Sequence, residues 1–226
     1  MLGSSLLGKA LKKGIVEVNL VQIRDFSKNI HRTVDDKPFG GGEGMLLRVD
    51  VLYDAWKSIV GERAAQARAA SVAGRVSKKK VCTIMLSPQG TLLDQAKARE
   101  LAELDEIILI CGHYEGVDQR FIELCVDEQL SVGDYVLTGG EIAALAVIDV
   151  VTRILPGTVG NPRSITEDSL EGGQLKHPQY TRPREFMGHQ VPEVLLSGDH
   201  KKIDEWKRNR RSAKPKAKAK PRKSRS

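Results

Sequence analysis

Three short stretches of this 226-residue chain combine glycine, small polar residues and carboxylates in a way that suits ligand chemistry better than core packing. They are SPQG (87–90), CGHYEGVD (111–118) and SVGDYVLTGG (131–140). The last lies within VDEQLSVGDYVLTGGE (126–141), where Gly133, Gly139 and Gly140 surround an apolar run flanked by Asp127, Glu128, Asp134 and Glu141. Glycine lets backbone approach a ligand closely, so such loops can present main-chain N–H and C=O groups to one small molecule. Taken singly, these glycines read as tight turns. None of the stretches matches G-x-G-x-x-G or the P-loop spacing, so the two common nucleotide motifs are absent.

The elements that must position these stretches are legible from apolar patterning. VCTIML (81–86) and IILIC (107–111) are continuous apolar runs, the pattern of strands buried on both faces of a parallel sheet. LDQAKARELAEL (93–104) between them reads as a helix, as do SSLLGKALKK (4–13), ended by Gly14, and residues 50–73. IVEVNLVQI (15–23) is a further strand candidate, and 24–45 reads as a loop. IAALAVIDVVTRIL (142–155) is a strongly apolar helix stopped by Pro156-Gly157. Strands alternating with helices predict an α/β fold. In open sheets of that class ligands bind beyond the carboxyl ends of strands, where all three stretches fall.

The net charge of +7 is unevenly placed. Residues 207–226 hold 11 of the 36 Lys and Arg and no acid, leaving 25 basic against 29 acidic side chains in the rest. Lys/Pro/Ala tracts of this kind cannot build a core. Their chemistry is attraction to nucleic acid phosphates, with a solubilising tail as the plainer reading. The three cysteines have no metal-site spacing, and Cys82 and Cys111 fall inside apolar runs as reduced thiols. No apolar run approaches membrane-spanning length and no secretory signal pattern opens the chain. The composition reads as a cytoplasmic protein.

Taken with HRTVDDKPFGGGEGM (31–45) and ITEDSLEGG (165–173), the three stretches resemble, in order, the bacterial tRNA (guanine-N1)-methyltransferases, the TrmD family of the SPOUT class. The resemblance runs from about residue 2 to about residue 206. It implies a SPOUT-type parallel sheet with helices on both faces, a deep trefoil knot, and a shortened helical C-terminal segment. The expected cofactor is S-adenosyl-L-methionine, held by Leu86, Ser87, Pro88, Gly112, Tyr114, Glu115, Val132, Gly133, Asp134, Tyr135, Val136, Leu137, Gly139 and Gly140. Glu115 stands open between a ligand contact and a cap for the next helix. The catalytic aspartate of the family matches Asp168 and its partner arginine matches Arg153. From the residues alone, Asp168 or Thr166 reads first as a helix cap; the resemblance reverses that order. It further implies tRNA as substrate, methylation of N1 of the guanine immediately 3′ of the anticodon, and a homodimer with composite active sites. Mg2+ is associated with the family, with no residue assigned to it. Arg24, His31, Arg32 and the PFGGGEGM loop stand as substrate or dimer contacts.

The implied organisation is a cofactor domain over 1–157, a linker carrying Asp168 over 158–179, a truncated tRNA-binding segment over 180–206 and the basic tail over 207–226. Two departures accompany it. Family members open with a further strand before the stretch matching LGSSLLGKA, and they continue into a helical domain where KRNRRSAKPKAKAKPRKSRS stands here. The alternatives are an enzyme acting on another RNA guanine, or a dimeric RNA-binding pseudoenzyme.

Overall fold

A computed structural model describes residues 3, 5–72, 80–161 and 174–213. The chain divides into two compact units, residues 1–158 and 159–226.

The first unit is built on a three-stranded, all-parallel sheet. Its strands are β3 (Val81–Leu92), β4 (Glu106–Cys111) and β5 (Glu128–Ser131), in the order β4-β3-β5. Each strand alternates its side chains between two faces, and each face meets its own apolar layer. Met85, Ile108 and Ile110 point one way, onto Val51 and Leu52 of α2 (Val49–Val72) and Phe121 and Cys125 of α4 (Gln119–Cys125). Ile84, Leu86 and Leu130 point the other way, onto Leu101 of α3 (Gln95–Ala102) and Ala143, Val147 and Val151 of α5 (Glu141–Ile154). The continuous apolar runs of β3 and β4 are thus explained by burial on both sides. α1 (Ser5–Lys12) packs against α5, and a short hairpin, β1 (Asp35–Asp36) with β2 (Leu46–Leu47), brackets the PFGGGEGM loop.

Polar groups lock the centre of the sheet. Trp56 Nε1 on α2 donates to Thr83 Oγ1 at 3.1 Å. The Thr83 backbone N–H donates to Asp127 Oδ2 at 2.7 Å, and the Asp127 N–H to the Thr83 carbonyl at 2.9 Å. β5 is therefore fixed against β3 one residue before its own ladder begins.

Two sequence expectations change. Residues 15–23 form no strand, because an apolar alternation becomes a strand only where a ladder partner lies alongside, and Ile23 instead opens a short 3-10 turn. SPQG does not leave the sheet at Leu86; β3 runs through it to Leu92. Both Leu86 and Thr91 face Leu130, so Ser87–Gly90 is an excursion from which the strand returns to β5. That return depends on Gly90, where a Cβ would stand 2.4 Å from the Gln129 carbonyl carbon and the Leu130 nitrogen. Only a residue without a side chain fits.

The second unit is described over 174–213. It comprises a ribbon of β6 (Gln174–Leu175) with β9 (Ser212–Ala213), a hairpin of β7 (Glu185–Phe186) with β8 (His189–Gln190), and two helices, α6 (Glu193–Leu196) and α7 (His200–Asn209). Asp199 caps α7 by accepting from the Lys202 N–H.

Candidate active site

The loops that follow β4 and β5 meet at the carboxyl ends of those strands, and Ser87–Gly90, an excursion within β3, lies beside them where Leu86 pairs with Cys111 and Thr91 with Leu130. Leu86 is buried at the end of the β3–β4 ladder, while Ser87 and Pro88 begin the excursion. Ser87 Oγ accepts from the Gln89 N–H at 3.2 Å, tightening that turn.

Beyond β4, Gly112 opens the second loop. Its carbonyl accepts from the Gly140 N–H at 2.9 Å. A Cβ at residue 140 would lie 2.6 Å from the Cys111 Cα and 3.0 Å from the Gly112 nitrogen, so the loop after β5 touches the loop after β4 backbone to backbone. α5 starts from this contact, with Glu141 in its first turn. Tyr114 adopts a left-handed backbone, φ 60°. Such a conformation in a bulky residue is strained and persists only where its surroundings enforce it. Here the enforcement is the PFGGGEGM loop: the Glu115 N–H donates to the Met45 carbonyl at 3.0 Å, and the Leu47 N–H to the Gly116 carbonyl at 2.9 Å. Glu115 is not the cap of the following helix, because Asp118 accepts from the Arg120 N–H in that role.

Beyond β5, Ser131 Oγ donates to the Gly133 carbonyl at 3.1 Å and lies 3.2 Å from the Gly133 nitrogen. The Tyr135 hydroxyl donates to the Val132 carbonyl at 3.2 Å, folding the ring over Gly133. Asp134, Tyr135 and Val136 are exposed, whereas Val132, Leu137 and Gly139 are half-buried. Val132 and Leu137 pack on the α3/α5 face of the core, so the loop is anchored at both ends and open at its tip.

Sequence reading missed one pair in this cluster. His113 Nε2 and Glu141 Oε1 lie 2.5 Å apart, joining the β4 loop to the first turn of α5 across Gly139. Burial alone would raise the Glu141 pKa; the His113 hydrogen bond, the backbone N–H and the His113 charge outweigh it and hold the carboxyl below its ordinary range. No periodicity could have found the pair, since 28 residues separate its members. Beside it, burial and the Glu141 charge push the Cys111 thiol up to about 11, so it is not a nucleophile.

The remaining predicted residues fall elsewhere. Arg153 occupies the last turn of α5, and twelve residues of helix at 1.5 Å each put it about 18 Å along the axis from Glu141. Asp168 lies outside the described residues. Arg24 donates to the Arg32 carbonyl at 3.1 Å, Arg32 pairs with Asp25, and His31 is exposed, so these three share one loop. Among the described residues no three His, Cys, Asp or Glu side chains group to hold a metal ion, and no helix is long and apolar enough to cross a membrane.

This arrangement defines an α/β protein whose candidate ligand site lies where glycine-bearing loops meet at the carboxyl ends of parallel strands. A family model described as tRNA (Guanine-1)-methyltransferase TrmD matches residues 1–222, and the chain belongs to that family. Curated relatives called tRNA (guanine-N(1)-)-methyltransferase agree with it. The one from Carboxydothermus hydrogenoformans is 48% identical over 207 residues, 92% of this chain and 75% of that protein. The one from Clostridioides difficile is 46% identical over 204 residues, 90% of this chain and 83% of that protein. The one from Ruminiclostridium cellulolyticum is 47% identical over 207 residues, 92% of this chain and 83% of that protein.

Proposed function

We propose that this chain methylates N1 of the guanine immediately 3′ of the anticodon in tRNA, with S-adenosyl-L-methionine as donor. The observation that carries the reading is the backbone contact between CGHYEG and SVGDYVLTGG, with SPQG returning onto β5 beside them, in a chain of this family. A donor of that kind has an uncharged nucleoside part and a positively charged sulfonium, and the residues suit both. Main-chain groups of Leu86, Ser87, Pro88, Gly112, Tyr114, Val132, Gly133, Val136, Leu137, Gly139 and Gly140 would hold the nucleoside, with Tyr135 beside them. Glu115 and Asp134 place carboxylates at the rim, where positive charge is favoured. When bound, the donor supplies a methyl group on an electron-poor sulfur. We read the backbone contact between the loops after β4 and β5 as part of a trefoil knot.

The chain's own residues must prepare the guanine. Its N1 carries a proton at neutral pH, and the lone pair becomes nucleophilic only as that proton leaves. Asp168 takes the proton as general base, a role that requires it to reach N1 within hydrogen-bond distance. Arg153 stabilises the negative charge that develops on O6, or orients Asp168, through charge-assisted hydrogen bonds. An Arg153 about 18 Å along α5 from the cofactor loops of its own chain favours a homodimer whose sites combine loops from one subunit with residues from the other. The target base must leave its stack to enter such a site.

Transfer of label from S-adenosylmethionine to tRNA transcripts carrying guanine or adenine at that position tests the reading, with wild type beside Asp168→Asn. Transfer to the guanine transcript alone, lost in the variant, is expected. Equal transfer to both transcripts would redirect the reading to another RNA guanine. Cofactor binding without transfer would leave a pseudoenzyme.

A further inference from the structure

The second unit carries an aromatic cluster among residues that, where described, are half-buried or exposed. No residue described between 174 and 212 is buried, so these rings do not serve to fill an interior. The His177 ring meets Trp206 of α7 edge-on at 5.9 Å, the Tyr180 ring lies 6.3 Å from it, and the Arg210 guanidinium stands 5.8 Å over its face. The β6–β9 ribbon causes this meeting, because it ties the start of the His177–Tyr180 segment to the chain leaving α7.

Each member is set for contact with a ligand. Tyr180 is 49% exposed. His177 Nδ1 lies 2.9 Å from the Pro178 carbonyl oxygen, which can only accept, so Nδ1 carries the proton and the ring is held. On the same helix as Trp206, Asp204 pairs with Lys207. Among the described residues Arg210 forms no ion pair.

Charge selects the partner. Residues 159–226 carry 17 Lys and Arg against 8 Asp and Glu, whereas residues 1–158 carry 19 against 21. A ligand that is anionic and also offers a flat π-face is a nucleotide. In a duplex those faces are covered by their neighbours, so the nucleotide must be unpaired.

We infer that His177, Tyr180, Trp206 and Arg210 form a stacking site for an unpaired RNA base, with Tyr180 as its outer face and Arg210 joining the ring to phosphate. The inference rests on the tRNA reading and deepens it, since it adds a loop nucleotide held by the second unit to the guanine that reacts.

The chain has two tryptophans, so Trp56→Phe makes Trp206 the sole reporter in the full-length protein. An anticodon stem–loop hairpin should quench its emission, and a blunt duplex of the same composition should not. Tyr180→Ala should weaken hairpin binding about tenfold, the loss of one stacked base, and Tyr180→Phe should restore it. In methyl transfer, Tyr180→Ala should raise the KM for tRNA and leave kcat and the cofactor KM unchanged. Equal quenching by duplex and hairpin, or a Tyr180→Ala protein that binds the hairpin normally, overturns the stacking site. Emission that depends on protein concentration without RNA also overturns it, and assigns the cluster to a second copy. If wild type transfers no methyl yet the hairpin alone quenches Trp206, the methylation reading fails and the base site stands.

Discussion

The two units solve opposite physical problems. In residues 1–158 a three-stranded sheet is covered on both faces, and Phe121, Ile84 and Leu130 have no exposed surface at all. Among the residues of 174–212 none is buried, and Phe186 and Met187 lie open at the tip of the β7–β8 hairpin. The first unit holds its shape through apolar burial. The described part of the second leaves its aromatic and basic groups half-buried or exposed, and its form rests on short ladders, caps and ring contacts. Stability and recognition are therefore separable by mutation in this chain.

The comparison can be broken most sharply at Phe121. Phe121→Ala should cost about 3–5 kcal/mol, read as a lowered urea midpoint, and a loss under ~1 kcal/mol would mean that the α2/α4 face is not the main core. Gly140→Ala comes next, at about 1–3 kcal/mol, because its Cβ meets backbone that cannot rotate away. Cofactor affinity measured by calorimetry should fall with it, and normal affinity would detach the Gly112–Gly140 contact from the site. Thr83→Val keeps the shape and removes the acceptor for Trp56 Nε1; about 1 kcal/mol is expected, visible in the same denaturant titration. Phe186→Ala should change stability by no more than about 0.5 kcal/mol, and a larger loss would reveal packing the second unit does not display.

The smallest effect is electrostatic. Glu141 has a depressed pKa in the folded protein, so its contribution is present above the ordinary carboxylate range and is lost as pH falls through the depressed value. Its side chain is 58% exposed, which limits the contribution to a few tenths of a kcal/mol. A Tm series between about pH 5 and pH 3 should fall more steeply for wild type than for Glu141→Gln.

What the sequence made legible follows from how each element is stabilised. β4 and the first half of β3 were readable because strands buried on both faces become unbroken apolar runs. α3 was readable as the helical stretch between two apolar runs, and α5 from its apolar length and the Pro156-Gly157 that stops it. α4 was not, since QRFIELC is too short to show a period; its cap, Asp118, is a better signal than its apolar residues. Residues 15–23 misled because alternation specifies a strand only with a partner, which local sequence does not name. That the three stretches could share one ligand was legible from their place after apolar runs; which ligand came from resemblance. Gly90 and the His113–Glu141 pair were invisible because their reasons lie 28 or more residues away along the chain.

The central place of β3 also has a consequence for how the chain reaches this shape. Its first ladder partner begins 25 residues later, Val81 with Glu106, and its second 44 residues later, Ile84 with Glu128. No hairpin within the sheet can form early and template the rest, because both ladders are parallel. Loops must close before any strand pairing is rewarded, which slows folding. During synthesis β3 therefore waits for residues 106–111 before its first ladder can form and for residues 128–131 before its second. In that interval, more than in the finished protein, this chain is most exposed to aggregation.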